Sequence, residues 1–126
     1  MKRILPLIVF LLLLPLPAWA GDGEVRVEID HLIGYITESP CRFIRNGEEH
    51  AAGVALTHIM KKYNYFREEI DSAEVFIDRC ASKSILSGQS YRVRCPGREP
   101  VETRTWLLEE LQRFRKERRE PSESAS

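Results

Sequence analysis

The chain has 126 residues, and its 19 lysines and arginines are balanced by 19 aspartates and glutamates, for a formal net charge of +0. This balance argues against a nucleic-acid-binding protein, because such domains usually carry a clearly basic surface. The length is that of one small domain, with room for a single hydrophobic core.

The first twenty residues predict a cleavable export signal. Met1–Arg3 is basic, Ile4–Leu16 is apolar, and Ala18-Trp19-Ala20 has the small-x-small pattern that signal peptidase accepts. The apolar stretch is well short of the roughly 20 residues that a membrane-spanning helix needs. We therefore expect residues 1–20 to be removed, leaving a soluble periplasmic protein with no stable membrane anchor.

The first half of the mature chain predicts a helix, a strand and a second helix. Residues 22–38 carry apolar side chains at spacings of three and four, and Ser39-Pro40 ends that helix. Residues 41–45 alternate in polarity like a half-buried strand, and Asn46-Gly47 predicts a turn with positive φ. A second helix is expected over residues 50–68, with Glu48 and Glu49 at its start, where acidic groups favour the helix dipole.

The second half predicts two further helices and one more strand. Asp71 and Glu74 have the spacing of a capping box, which favours a third helix over residues 72–81, although one unbroken helix from 50 to 80 is the alternative. Residues 91–95 alternate like a strand, 101–116 form the last helix, and 117–126 form a charged disordered tail. The expected fold is α+β: a single globular domain over 21–116, with four helices around one core and a short two-stranded antiparallel ribbon.

The three cysteines predict one disulfide bond and one free thiol. When the two strands are paired antiparallel with Cys41 opposite Cys95, Phe43 faces Val93 and Arg45 faces Tyr91 on the same side of the ribbon. This shared register favours a Cys41–Cys95 bridge. Cys80 lies among apolar helix positions and is expected to be a buried, inert thiol.

Several short motifs between Cys41 and Trp106 resemble those of a family of small proteobacterial periplasmic proteins catalogued as a domain of unknown function (DUF5329). The resemblance rests on Phe43-Ile44-Arg45-Asn46-Gly47, on Ala55 with His58 and Lys61 to Tyr63, on Ala73-Glu74 with Phe76-Ile77, and on Ala81-Ser82-Lys83-Ser84 through Ser87-Gly88 to Tyr91. It implies a bacterial envelope protein and brings no known activity. It also implies that Cys41 and Cys95 are positions where members often form a bridge, whereas Cys80 is particular to this chain.

The polar residues within those motifs are the candidate ligand-binding residues. An arginine such as Arg45 on the inner face of the ribbon either pairs with Glu74 or Asp78 or presents its guanidinium group to an anion. Serine hydroxyls and free N–H groups in the glycine-containing loop after residue 81 either cradle an anion or simply shape the loop. The predicted site comprises Arg45, Asn46, His58, Ser82, Ser87 and Tyr91.

The residue pattern predicts no metal site and no cofactor, because His31, His50 and His58 lack further ligands at suitable spacing. A serine with His58 or Lys83 would supply the atoms of a hydrolase, but the sequence has neither a Gly-x-Ser-x-Gly elbow nor a Ser-x-x-Lys motif. The leading hypothesis is a non-enzymatic binding or accessory module for a small anionic ligand or an envelope partner. The alternatives are a small envelope hydrolase and a flat-surface interaction module, in each case a monomer or weak dimer.

Overall fold

A computed structural model of the chain describes residues 21–120. The predicted export signal at 1–20 and the last six residues lie outside this range. In chain order the elements are α1 (Asp22–Glu38), β1 (Arg42–Arg45), β2 (Glu48–His50), α2 (Ala52–Phe66), a 3-10 turn (Arg67–Glu69), α3 (Ala73–Cys80), β3 (Arg92–Arg94), β4 (Val101–Glu102) and α4 (Thr103–Arg119). The α+β class and the four helices are as predicted.

The sheet has four antiparallel strands in the order β2-β1-β3-β4, so the expectation of a two-stranded ribbon was wrong. The central pair is the predicted one, with Phe43 opposite Val93. The two added strands are short and largely exposed. β2 pairs Glu48 with Arg45 across the Asn46-Gly47 turn, where φ is +52° and +80°. Glu48 and Glu49 therefore belong to an edge strand and do not begin α2.

The bridge between Cys41 and Cys95 is formed, and it links the chain just before β1 to the chain just after β3. The two Cα atoms are 4.2 Å apart. Because the bridge lies in the same register as the Phe43–Val93 pair, it holds these two strands together at one end. Cys80 is a free, fully buried thiol, as predicted.

α2 and α3 are two separate helices, which excludes the alternative of one unbroken helix from 50 to 80. The chain leaves α2 through the 3-10 turn and extends at Ile70 before α3 begins. The N-cap of α3 is Ser72, whose side chain accepts a hydrogen bond from the Val75 amide at 3.1 Å. The capping residue is thus Ser72, since it supplies the acceptor that we had assigned to Asp71.

One apolar core lies between the helices and the inner face of the sheet. Its fully buried side chains include Leu32 and Ile36 of α1, Phe76 of α3 and Leu107 of α4, with Val93 from the sheet. No helix among residues 21–120 is long and apolar enough to cross a membrane.

The last helix extends further than predicted. α4 continues to Arg119 because Lys116, Arg118 and Arg119 in its last turn favour the negative end of the helix dipole. Residues 117–119 are therefore helical, and the predicted tail boundary at 117 was too early. An ion-paired surface supports this extension, since Arg113 bonds Glu117 within α4 and Arg118 lies 3.2 Å from Glu24 of α1.

Candidate functional site

Three of the six candidate residues, Arg45, His58 and Tyr91, meet where the end of β1 faces α2. They line a small cavity together with Phe43, Ile44, His50, Ala55 and Ile59. The cavity volume is about 20 Å³, which is room for roughly one water molecule. We call this the Arg45 pocket.

The contact between Arg45 and His58 fixes the protonation state of the imidazole. Nη1 of Arg45 donates to Nε2 of His58 at 3.2 Å. Since a guanidinium group has only donors, Nε2 must accept, and His58 is neutral with its proton on Nδ1. Burial lowers the pKa of His58 below its ordinary value, and the Arg45 cation, His50 and two lysines lower it further.

Of the two possibilities that the sequence left open for Arg45, pairing with Glu74 or Asp78 and presentation to an anion, the structure excludes the first. Glu74 bonds Arg115 at 2.7 Å and Asp78 bonds Arg104 at 2.7 Å, so neither acid pairs with Arg45. Within residues 21–120 no carboxylate oxygen lies within 4 Å of the Arg45 guanidinium group. Its Nε is buried and has no acceptor in the described part of the chain.

The two carboxylates of β2, Glu48 and Glu49, do not neutralise the charge of Arg45. Glu49 forms a two-pronged pair with Arg94 on the outer face of the sheet, with both distances 2.8 Å. Glu48 lies opposite Arg45, but its side chain is 80% exposed, and its ion-pair contact is with His50 at 3.9 Å. The pocket therefore has a surplus of positive charge beside an apolar wall.

Lys62 is a member of the site that the sequence analysis missed. Its Nζ donates to the Tyr91 hydroxyl and to the Lys83 carbonyl, both at 2.7 Å, and lies 4.6 Å from the centre of the Tyr91 ring. The signal was present in the sequence, because Lys62 follows His58 by four positions and so shares its face of α2. His50 was also missed, and its ring centre lies 6.4 Å from that of His58.

Asn46 and Ser87 contact each other next to the pocket. The Ser87 hydroxyl donates to Oδ1 of Asn46 at 2.5 Å, and Nδ2 of Asn46 reaches the Ser84 hydroxyl at 3.5 Å. These groups satisfy one another and join the β1–β2 turn to the loop before β3. Ser82 lies apart from them, and its hydroxyl donates to the Ile77 carbonyl at the end of α3 at 2.7 Å.

The arrangement lacks the contacts that a serine hydrolase requires. Within residues 21–120 no hydrogen bond joins a serine hydroxyl to the imidazole of His58 or to Nζ of Lys83. A nucleophile needs a base within such reach. In the same range no group of three or more histidine, cysteine, aspartate or glutamate side chains is placed to hold a metal ion. What the Arg45 pocket offers chemically is a guanidinium donor beside a neutral imidazole and an apolar wall.

Comparison with known proteins places most of the described domain within one family. The model of a family of unknown function, DUF5329, matches residues 23–115. A relative from Salmonella typhimurium, the uncharacterized protein YfeK, is 37% identical over 93 residues, which cover 72% of this chain and 77% of the relative. No solved structure matches the chain.

Proposed function

This chain belongs to the DUF5329 family, and we propose that it is an exported periplasmic protein that binds a small anionic group at the Arg45 pocket without catalysing a reaction. The observation that carries the proposal is the half-buried guanidinium group of Arg45, which has a buried, unpaired Nε and no carboxylate partner among residues 21–120. Placing a cation out of water without a partner is costly, so an anion that supplies the missing acceptor is stabilised there.

The surroundings of Arg45 favour an anion over a neutral ligand. Lys62 bonds the Tyr91 hydroxyl at the pocket, His50 lines the pocket, and Nε2 of His58 accepts a hydrogen bond from Arg45. An anion near this cluster favours protonation of His58, which would then become a second donor. Binding is therefore expected to strengthen as the pH falls below 6.5.

The size of the cavity limits which part of a ligand enters. A volume of about 20 Å³ accepts a single oxygen atom and excludes a whole metabolite. The ligand class is therefore an exposed carboxylate or phosphate group carried on a larger molecule, with one oxygen on Arg45 and the rest outside.

The test is a titration of the protein with sodium phosphate and with sodium acetate, at constant ionic strength because salt screens charge interactions. We expect saturable binding by calorimetry, lost in Arg45→Gln and kept in Arg42→Gln. Arg42 is a matched control, since it lies on the same strand but is exposed, beside Glu49 at 4.0 Å. Equal binding by the two variants, or no binding of either anion by the parent protein, would refute the proposal.

The export part of the proposal has its own support and its own test. A disulfide bond between Cys41 and Cys95 suits an oxidising compartment. Mass spectrometry of the protein recovered from the periplasm of a producing bacterium is expected to show a chain that begins at Gly21. A protein that retains residues 1–20 in the cytoplasm contradicts it.

A further inference from the structure

The loop between α3 and β3 exposes two adjacent aliphatic side chains. Ile85 is 67% exposed and Leu86 is 90% exposed, whereas most aliphatic residues of the helices and the sheet are buried or half-buried. Leu86 is the most exposed of the large hydrophobic residues among 21–120. A pair of side chains is smaller than the contiguous apolar patches that by themselves mark an interaction site, so the surroundings of the pair decide what it contacts.

Hydrogen bonds within the loop hold this pair in place. The Ser84 amide donates to the Gln89 carbonyl and the Gly88 amide donates to the Ser84 carbonyl, both at 2.9 Å. The Ser87 amide also donates to the Ser84 hydroxyl at 3.4 Å. Gly88 has φ +72°, which closes the turn at a position where a side chain would be strained. The loop thus presents Ile85 and Leu86 on a closed turn.

The same loop is joined to the Arg45 pocket by two independent contacts. Asn46, the residue after Arg45, bonds Ser84 and Ser87 on either side of the aliphatic pair. Lys62, which bonds Tyr91 of the pocket, also bonds the Lys83 carbonyl at the base of the loop. An apolar tip therefore lies beside a group of cations.

We propose that Ile85 and Leu86 insert reversibly into the surface of an anionic phospholipid bilayer, and that the Arg45 pocket then receives an oxygen of a lipid phosphate. This inference rests on the proposed function and names the ligand class for the same site. The loop and the pocket together match the two layers of a membrane surface, since aliphatic groups enter the acyl region while cations meet anionic headgroups.

Lys83 adds a cation at the base of the loop, and the composition of the exposed tip favours a lipid surface over a protein groove. Lys83 is exposed at the loop base, and of the two acids that line the same cleft, Asp78 is paired with Arg104 at 2.7 Å whereas Glu102 is exposed. Protein contact sites are typically built around aromatic and arginine anchors. The exposed tip carries two aliphatic side chains and no aromatic one, so it fits a disordered apolar layer better than a shaped pocket.

The test is sedimentation with vesicles of phosphatidylglycerol and phosphatidylethanolamine, compared with vesicles of phosphatidylcholine alone. We expect binding to the anionic vesicles, weakened at least fivefold on neutral ones and at least fivefold by Leu86→Ser. Val27→Ser is the control, because Val27 is an exposed aliphatic residue on α1, 40% accessible. Arg45→Gln is expected to weaken binding both to the anionic vesicles and to inorganic phosphate.

The outcomes separate the two proposals. Phosphate binding that depends on Arg45, without vesicle binding, would overturn the membrane proposal and leave the anion-binding function standing. Vesicle binding that Leu86→Ser leaves unchanged, or that Arg45→Gln leaves unchanged, would also overturn it. If neither phosphate nor anionic vesicles bind, both proposals fail.

Discussion

Nη1 of Arg45 lies 3.2 Å from Nε2 of His58. A permanent cation is therefore hydrogen-bonded to the one ring nitrogen that would otherwise take up a proton. The contact joins the end of β1 to α2 and ties the sheet to the helix that packs over it. Because the Arg45 charge lowers the pKa of His58, that pKa is expected to change when Arg45 is replaced or binds an anion.

We expect the pKa of His58, measured by NMR titration, to lie below 6.5 in the parent protein and to rise in Arg45→Gln. Burial is the largest cause of the lowered pKa and persists in the variant, so the rise is partial. Arg42→Gln, on the same strand, is expected to leave the pKa of His58 where it was. A value unchanged by Arg45→Gln would show that the two side chains are not in contact in solution.

The same pKa gives a pH dependence of stability with a definite sign. Because the pKa of folded His58 is lower than in the unfolded chain, the unfolded state binds more protons between the two values. Stability is therefore expected to fall as the pH drops below 6.5. In His58→Gln this loss should be smaller, as measured by urea unfolding at several pH values. An identical pH profile for the two proteins would contradict the assignment.

The sequence was sufficient where alternation and spacing are strong, and it was insufficient where partners lie far apart in the chain. The Phe43–Val93 register followed from two alternating segments that each carry a cysteine. β4 was missed because two residues carry no alternation that a sequence can show. β2 was missed because Glu48 and Glu49 are equally suited to the first turn of a helix.

The candidate site was only partly predictable for the same reason. Arg45, His58 and Tyr91 are brought together, but the choice of partner for Arg45 depended on which acids remain free. Glu74 is taken by Arg115, a residue 41 positions away that no local pattern links to it. The lack of a carboxylate partner for Arg45 among residues 21–120 thus follows from the packing of α4 against α3, which pairs Glu74 with Arg115.

Removal of the Cys41–Cys95 bridge should destabilise the fold strongly. The bonded residues are 54 positions apart, and closing a loop of that length is worth about 4 kcal/mol in the chain-entropy model. We expect urea unfolding of the Cys41→Ala, Cys95→Ala double variant to show a loss of about this size. Cys80→Ala is the matched control for losing a cysteine without losing the bridge. A double variant as stable as the parent would mean that the bridge constrains little.

Arg115 of α4 should be the most important charged residue for stability. It donates to Glu28 of α1 through Nε and Nη2 at 2.7 and 2.9 Å, and to Glu74 of α3 through Nη1 and Nη2 at 2.9 and 2.7 Å. The side chain of Glu28 is only 10% exposed, so Arg115→Met leaves a largely buried carboxylate without its cation. We expect a loss of about 2–4 kcal/mol in the free energy of unfolding.

The effect of Arg115→Met should shrink in acid. The hydrogen bond from Arg115 is the main cause of the lowered pKa of Glu74, so this contribution is present above pH 4.5 and is lost as the pH falls through the lowered value. Arg104→Met is the control on the same helix. It breaks an ion pair with Asp78 in which both side chains are half exposed, so the loss should be under about 1 kcal/mol. Equal losses in the two variants would show that burial of Glu28 is unimportant.

Cys80 should be chemically inert in the folded protein. Its side chain is fully buried, and burial raises the pKa of the thiol to about 11, so very little thiolate forms at neutral pH. We expect a thiol reagent such as Ellman's reagent to label the native protein at least 100-fold more slowly than the protein in denaturant. Tyr65→Cys supplies an internal standard, because position 65 is 82% exposed and its new thiol should react at once. Rapid labelling of Cys80 in the native parent would place it at the surface, where it is free to join two copies of the chain, and non-reducing electrophoresis would then show a dimer.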